Sequence, residues 1–184
     1  MHFFRPVLAF AFLLASLFVM SCSSPGSVPQ GESREGRPDQ ESWGVTIFLT
    51  NEGLQRAVVR SGHLEKYSQK QYILLDQGVE ADFYNTREVH TTKLVSQRAE
   101  VDEKSNFMTA IQEVIVESDS GVTLFTDTLA WNSALEMIYT DDPIMLTTEN
   151  GDTLYGVGFE SDVSLEHWKI LNPSGVTQRG QDEK

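Results

Sequence analysis

Two runs of alternating apolar and polar residues meet at Asn150-Gly151, and this junction constrains the fold more than any other stretch. Ile144, Leu146 and Thr148 alternate with Met145, Thr147 and Glu149 on the near side, and a run led by Leu154 follows on the far side. Asn-Gly between two such runs predicts a hairpin with a type I′ turn, which needs positive φ at both central residues. Gly156 and Gly158 in the second run predict a sharp bend or a close neighbour. A third run, Gly121 to Trp131, is launched by Ser118-Asp119-Ser120-Gly121. The connections are too short for crossover helices, so the strands are antiparallel.

The same texture extends upstream. Val45, Ile47 and Leu49 alternate with polar neighbours, and Asn51-Glu52-Gly53 turns the chain into a run from Leu54 to Tyr67. Tyr72 to Leu75 follows, then a turn at Asp76-Gln77-Gly78 into residues 79–85, then Val89 to Val101 and Phe107 to Val116. No window longer than about ten residues carries a 3.6-residue period, and the best helical candidate, Leu129–Met137, is interrupted by Asn132-Ser133. The expectation is an antiparallel all-β domain over residues 43–171, with roughly ten strands, one apolar face and one wet face. Residues 172–184 are polar again and read as a flexible C-terminal tail.

The amino terminus reads as delivery. Residues 1–21 combine Arg5, an apolar run from Val7 to Met20, and Ser21 before the single cysteine, Cys22. This is the arrangement of a secretory signal that ends at a lipidated cysteine. Val19-Met20-Ser21-Cys22 resembles a bacterial lipobox, with Met20 larger than the residue usual at its position. Val7–Met20 is shorter than the roughly 20 residues needed to span a bilayer; the alternative is that it stays uncleaved as an anchor. Residues 22–42 are rich in Pro, Gly, Ser, Gln and Glu, the composition of a disordered tether. As a flexible coil its ends lie on the order of 25 Å apart. Either way the folded domain is placed outside the cytoplasm, held close to a membrane.

Charge and chemistry exclude several function classes. The formal charge is −13 over 184 residues, and the signal segment contributes one positive side chain, which argues against nucleic acid as a partner. One cysteine cannot form an internal disulfide or a cysteine-based metal cluster. His63, His90 and His167 fall in no metal-ligand spacing, and His63 and His167 read as ordinary surface or rim residues. No nucleophile elbow is present, and adjacent acids such as Asp141-Asp142 are expected among 27 carboxylates. Gly156-x-Gly158 lacks the third glycine and the helix of a phosphate-binding loop. The chain therefore reads as no enzyme, with no cofactor and no resident metal. Any ATP used in its work must be hydrolysed by a partner.

Three blocks in order carry a family resemblance: Leu124-x-Thr126-x-x-Leu129-x-Trp131, Ile138-x-Thr140-x-x-Pro143, and Gly151-x-x-Leu154-x-Gly156-x-Gly158-Phe159-Glu160-Ser161-Asp162. Together they resemble the LptC family, the periplasmic component of the lipopolysaccharide export ABC transporter, in a lipoprotein-anchored form. Asn51-Glu52-Gly53 and Leu64-Glu65-x-Tyr67 fit more loosely, and Gln112 stands where the pattern has glycine. The resemblance covers about Trp43 to Ile170. It implies a curled antiparallel sheet, a twisted open β-jelly roll, at the periplasmic face of the inner membrane. Such a protein would accept lipopolysaccharide from the transporter's permease subunits and pass it to a jelly-roll bridge protein.

Burying an acyl chain of about a dozen methylenes is worth roughly 10 kcal/mol, at about 0.8 per CH₂, so a carrier must offer an apolar trough. Val114, Val116, Leu124, Leu129 and Trp131 are candidate lining residues on the central runs. Ile138, Ile144, Leu146 and Leu154 continue the set, unless all nine simply fill a closed core. A strongly acidic protein does not gather phosphorylated headgroups, so binding would rest on the acyl chains with the head in solvent. An open sheet also leaves edge strands that can pair with partners. Val45 and Ile47 at one end, and Leu165, Trp168 and Ile170 at the other, mark the candidate edges. The alternatives are a scaffold lipoprotein of another envelope complex that pairs through these edges without carrying lipid and, more remotely, a carbohydrate-active enzyme.

Overall fold

The computed structural model describes residues 36–105 and 107–177. The expected signal peptide, Cys22 and most of the expected tether lie outside the described residues. From Gln40 onward the chain folds as ten strands: β1 (Gln40–Asn51), β2 (Leu54–Tyr67), β3 (Tyr72–Tyr84), β4 (His90–Ser96), β5 (Arg98–Asp102), β6 (Phe107–Ser118), β7 (Thr123–Asn132), β8 (Met137–Thr147), β9 (Thr153–Asp162) and β10 (Trp168–Thr177). They form a single antiparallel sheet in the order β1-β2-β3-β4-β6-β7-β8-β9-β10, with β5 beside β3 and β6. The all-β reading therefore holds, and Leu129–Met137 is strand, turn and strand. The domain is wider than its sequence pattern: β1 begins at Gln40, and residues 172–177 continue β10 against β9.

Three hairpin turns show how local chemistry sets the connections. Glu52 and Gly53 both have positive φ, 52° and 82°, and join Asn51 to Leu54 directly, as a type I′ turn requires. Asn150-Gly151 is the expected hairpin but not the expected turn, because only Gly151 has positive φ, 84°. Gly151 N–H donates to Thr148 C=O at 2.9 Å and Thr148 N–H to Asp152 C=O at 3.0 Å. Three residues, 149–151, thus form the loop, with glycine in the left-handed position that closes it. Ser118-Asp119-Ser120-Gly121 repeats that geometry, with Gly121 N–H on Ser118 C=O at 3.0 Å.

The sheet is creased along one line. Gly44 in β1 has φ 60°, β2 shifts register across Gly62, and β3 kinks at Gln77 and Gly78, both with positive φ. Asp76-Gln77-Gly78 is therefore a bend inside one strand and not a turn between two. Residues before it pair β5 and residues after it pair β4. The line continues through Gln97, which separates β4 from β5, and through Gln112-Glu113 in β6. It crosses β7 and β8 where register shifts between Thr126 and Ala130 and between Thr140 and Pro143, and ends at Gly158 in β9, φ 80°. Gly78 N–H donates to Gln97 C=O, and Gln97 N–H to Gln112 C=O, so neighbouring kinks are tied together. Each bulge bends its strand and increases local twist; a column of bulges bends the whole sheet.

Curling brings the apolar face onto itself. Phe83 of β3 packs edge-on against Trp131 of β7, with ring centroids 5.1 Å apart. Arg56 of β2 is paired with Glu136 in the β7–β8 turn. Thr92 and Ser118 hydroxyls donate to the carbonyls of Val163 and Ser164, each at 2.7 Å, tying the β9–β10 turn to β4 and β6.

Candidate functional site

The inner face carries an unbroken cross-strand ladder of apolar side chains. In register it runs Ile47–Val59–Ala81–Leu94–Val116 across the first half of the sheet, then Leu124–Leu146–Leu154–Val176 across the second. Cross-strand neighbours sit about 4.5–5.5 Å apart, so the ladder forms a continuous hydrocarbon stripe from one edge of the sheet to the other. A second row, Val101–Met108–Trp131–Ile138–Ser161–Trp168, lies on the other side of the crease.

All nine proposed lining residues are on this face. Val114, Val116, Leu124, Leu129, Ile138, Ile144 and Leu146 are at most 4% exposed, Trp131 is 8% exposed, and Leu154 is half-buried against them. They are packed against one another, so a lipid chain entering here has to part the two walls. Sequence alternation found the face but missed Phe159 and Leu165, among its most buried members. A groove of about 520 Å³ also follows the crease over β1–β4, bordered by Gly44, Ser61, Gly62, Gly78 and Ser96. None of the nine lines it.

The edges are β1 and β10. Val45 and Ile47 lie on β1, and Trp168 and Ile170 on β10, each half-buried with the inner face. Leu165 does not belong with them. It precedes β10, has positive φ of 56°, and is 1% exposed: the β9–β10 turn drives it into the core as a plug. Asp162 holds that turn, accepting from the N–H groups of Glu166 (3.0 Å) and His167 (3.4 Å), from Ser164 Oγ (3.1 Å) and from His167 Nδ1 (2.7 Å). Burial alone would push the Asp162 carboxyl up, but these donors together hold it below its ordinary value. The exposed His167 imidazole is held above its own by the same hydrogen bond and charge. Trp43 and Phe48 on β1 are largely exposed.

The polar residues weighed for chemistry have structural employment. Asp141 and Asp142 occupy the β8 bulge, where Asp142 accepts from Thr128 Oγ1 at 2.5 Å. His167 is exposed, as expected; His63 is instead buried, bonded through Nδ1 to Asp76 at 2.9 Å and covered by the Trp43 ring. Among the described residues, Glu41, His63 and Glu65 bring potential ligand atoms within 4.8 Å of one another.

Residues 7–176 match the family model described as "Lipopolysaccharide-assembly, LptC-related". The chain belongs to the LptC family. No curated protein matches it. The curled all-β sheet is the LptC jelly-roll fold, and membership gives the chain a role in lipopolysaccharide transport at the periplasmic, inner-membrane side of the cell envelope. LptC proteins are transport components and not an enzyme family.

Proposed function

We propose that this protein is a membrane-anchored acceptor in lipopolysaccharide export. It takes lipopolysaccharide from an inner-membrane ABC transporter into its apolar inner face and passes it to a periplasmic jelly-roll bridge protein. The observation that carries this reading is the ladder from Ile47 to Val176, which offers hydrocarbon contact across the whole sheet between two edge strands open to pairing. Acyl chains occupy the face; the phosphorylated head stays in solvent, because a chain of net charge −13 gives it no electrostatic reward. One edge, β1 or β10, pairs with the transporter's periplasmic portion and the other with the bridge, continuing the apolar stripe from protein to protein. Cys22 is acylated after signal cleavage and holds the domain at the inner membrane.

Depletion of the protein in its native cell tests this. Newly made lipopolysaccharide, followed by pulse labelling, is expected to accumulate in the inner membrane within a generation of depletion. Undiminished arrival at the cell surface, with the protein gone, would leave a scaffold role in another envelope complex.

A further inference from the structure

Among the described residues two buried side-chain atoms have no hydrogen-bond partner: the Thr148 hydroxyl oxygen in the β8–β9 turn and, on the inner face among the apolar rows, the Trp131 indole nitrogen. Trp131 is 8% exposed, and its indole Nε1 is buried without a hydrogen-bond partner. Buried donors are nearly always paired, and an orphan costs the full desolvation of its N–H. A phenylalanine at this position would fill most of the space at no such cost. The ring is fixed: Phe83 stands edge-on to it at 5.1 Å, and Met108 and Ile138 are its register neighbours on either side. Trp131 is also the penultimate residue of β7. Its N–H therefore lies near one end of the strand, and Leu124, the second residue of β7 and 0% exposed, lies near the other.

We infer that the Trp131 indole N–H is a positioning donor for an acceptor carried on the lipid close to the head of an acyl chain, a carbonyl or a hydroxyl. This rests on the inner face being the lipid path. An indole N–H can only donate, so it selects against a plain hydrocarbon chain and for one whose head-proximal carbons bear oxygen. That oxygen sits where chain meets head, and Trp131 sits where strand meets turn. The hydrogen bond thus sets how deep the chain enters, with the headgroup left outside and the methylenes along the ladder.

The test uses the full-length protein, ¹⁵N-labelled, with purified lipopolysaccharide and two small probes below their micellar concentrations. Decanoyl-N-methylglucamide carries a carbonyl at the head of its chain; decyltrimethylammonium carries no hydrogen-bond acceptor. The Trp131 indole N–H resonance, assigned by its loss in Trp131→Phe, is expected to move downfield with lipopolysaccharide and with the glucamide but not with the ammonium. Trp131→Phe is expected to bind lipopolysaccharide about five- to tenfold more weakly, the worth of one neutral hydrogen bond, and to bind the ammonium as wild type does. Wild type that binds lipopolysaccharide with an unmoved indole resonance would overturn the Trp131 assignment alone. Wild type that binds no lipopolysaccharide would overturn the lipid-path reading beneath it. Where Trp131→Phe folds poorly, Trp43→Phe and Trp168→Phe assign the Trp131 resonance by elimination among the three tryptophans, and the spectra of the wild-type protein decide the question.

Discussion

At the scale of single residues, two positions carry measurable consequences. Gln112 and Glu113 both adopt positive φ, 67° and 53°, at the β6 bulge, a conformation that costs a residue with a Cβ roughly 1–2 kcal/mol. Gln112→Gly removes that strain but makes the unfolded chain more flexible, which offsets about 0.4–1 kcal/mol. The net expectation is a gain of about 0.5–1 kcal/mol in urea unfolding; a loss would mean that the Gln112 side chain contributes more than its backbone costs. Asp162 gives a pH signature. Its carboxyl is depressed from an ordinary 3.8, so its contribution is present above that value and is lost as pH falls through the folded one. His167 is raised from 6.5, so its share is complete below 6.5 and is lost as pH rises through its folded value. The pair therefore holds the β9–β10 turn best between these two values. Asp162→Asn should cost roughly 1–2 kcal/mol near pH 5, and the gap from wild type should hold across the window and narrow only below 3.8 and above 6.5.

At the scale of elements, β10 depends on a glycine. A Cβ on Gly156 would stand 2.8 Å from the Asn172 carbonyl oxygen and 2.2 Å from Ile170 Cγ2. The side chain can move aside and the backbone cannot. Gly156→Ala is expected to destabilise by about 2–3 kcal/mol and to strip amide protection from β10 before the rest of the sheet; uniform loss of protection would show that β10 is not separately held. The sequence announced this glycine, because nothing else explains two glycines in an alternating run. It announced strands, hairpins and the buried face for the same reason: a period of two is visible in one dimension. The crease was not visible. Of its glycines, Gly44, Gly62, Gly78 and Gly158, only Gly158 reads as a bend, and its other positions include Gln77, Gln97, Gln112, Glu113 and Asp142, polar residues that look like any wet-face residue until pairing partners are known. Asp76-Gln77-Gly78 accordingly reads as a turn although β3 runs through it. Leu165 reads as the start of an edge because its inward turn depends on contacts with β4 and β6, far away in sequence. Pro173 and Gly175 read as the end of order, yet an edge strand tolerates proline, and β10 shifts register between them and continues to Thr177.

For the whole molecule, the two edges and the one apolar face are a single design. A closed barrel would have no free edges and a flat sheet would have no enclosed face; the column of bulges curls the sheet without closing it. In the function proposed above, acyl chains part the packed walls of that face while β1 and β10 pair with neighbours. The central claim is that lipopolysaccharide touches that face in the cell, and site-specific photo-crosslinking tests it most directly. A photoreactive amino acid is placed at Leu124, Trp131 and Ile144, all buried on the inner face, and at Glu117, exposed on the outer face of β6. Adducts to lipopolysaccharide at the three inner positions, dependent on cellular ATP and missing at Glu117, are the predicted result. Normal expression with no lipid adduct at any inner position would contradict the account and leave the face a packed core.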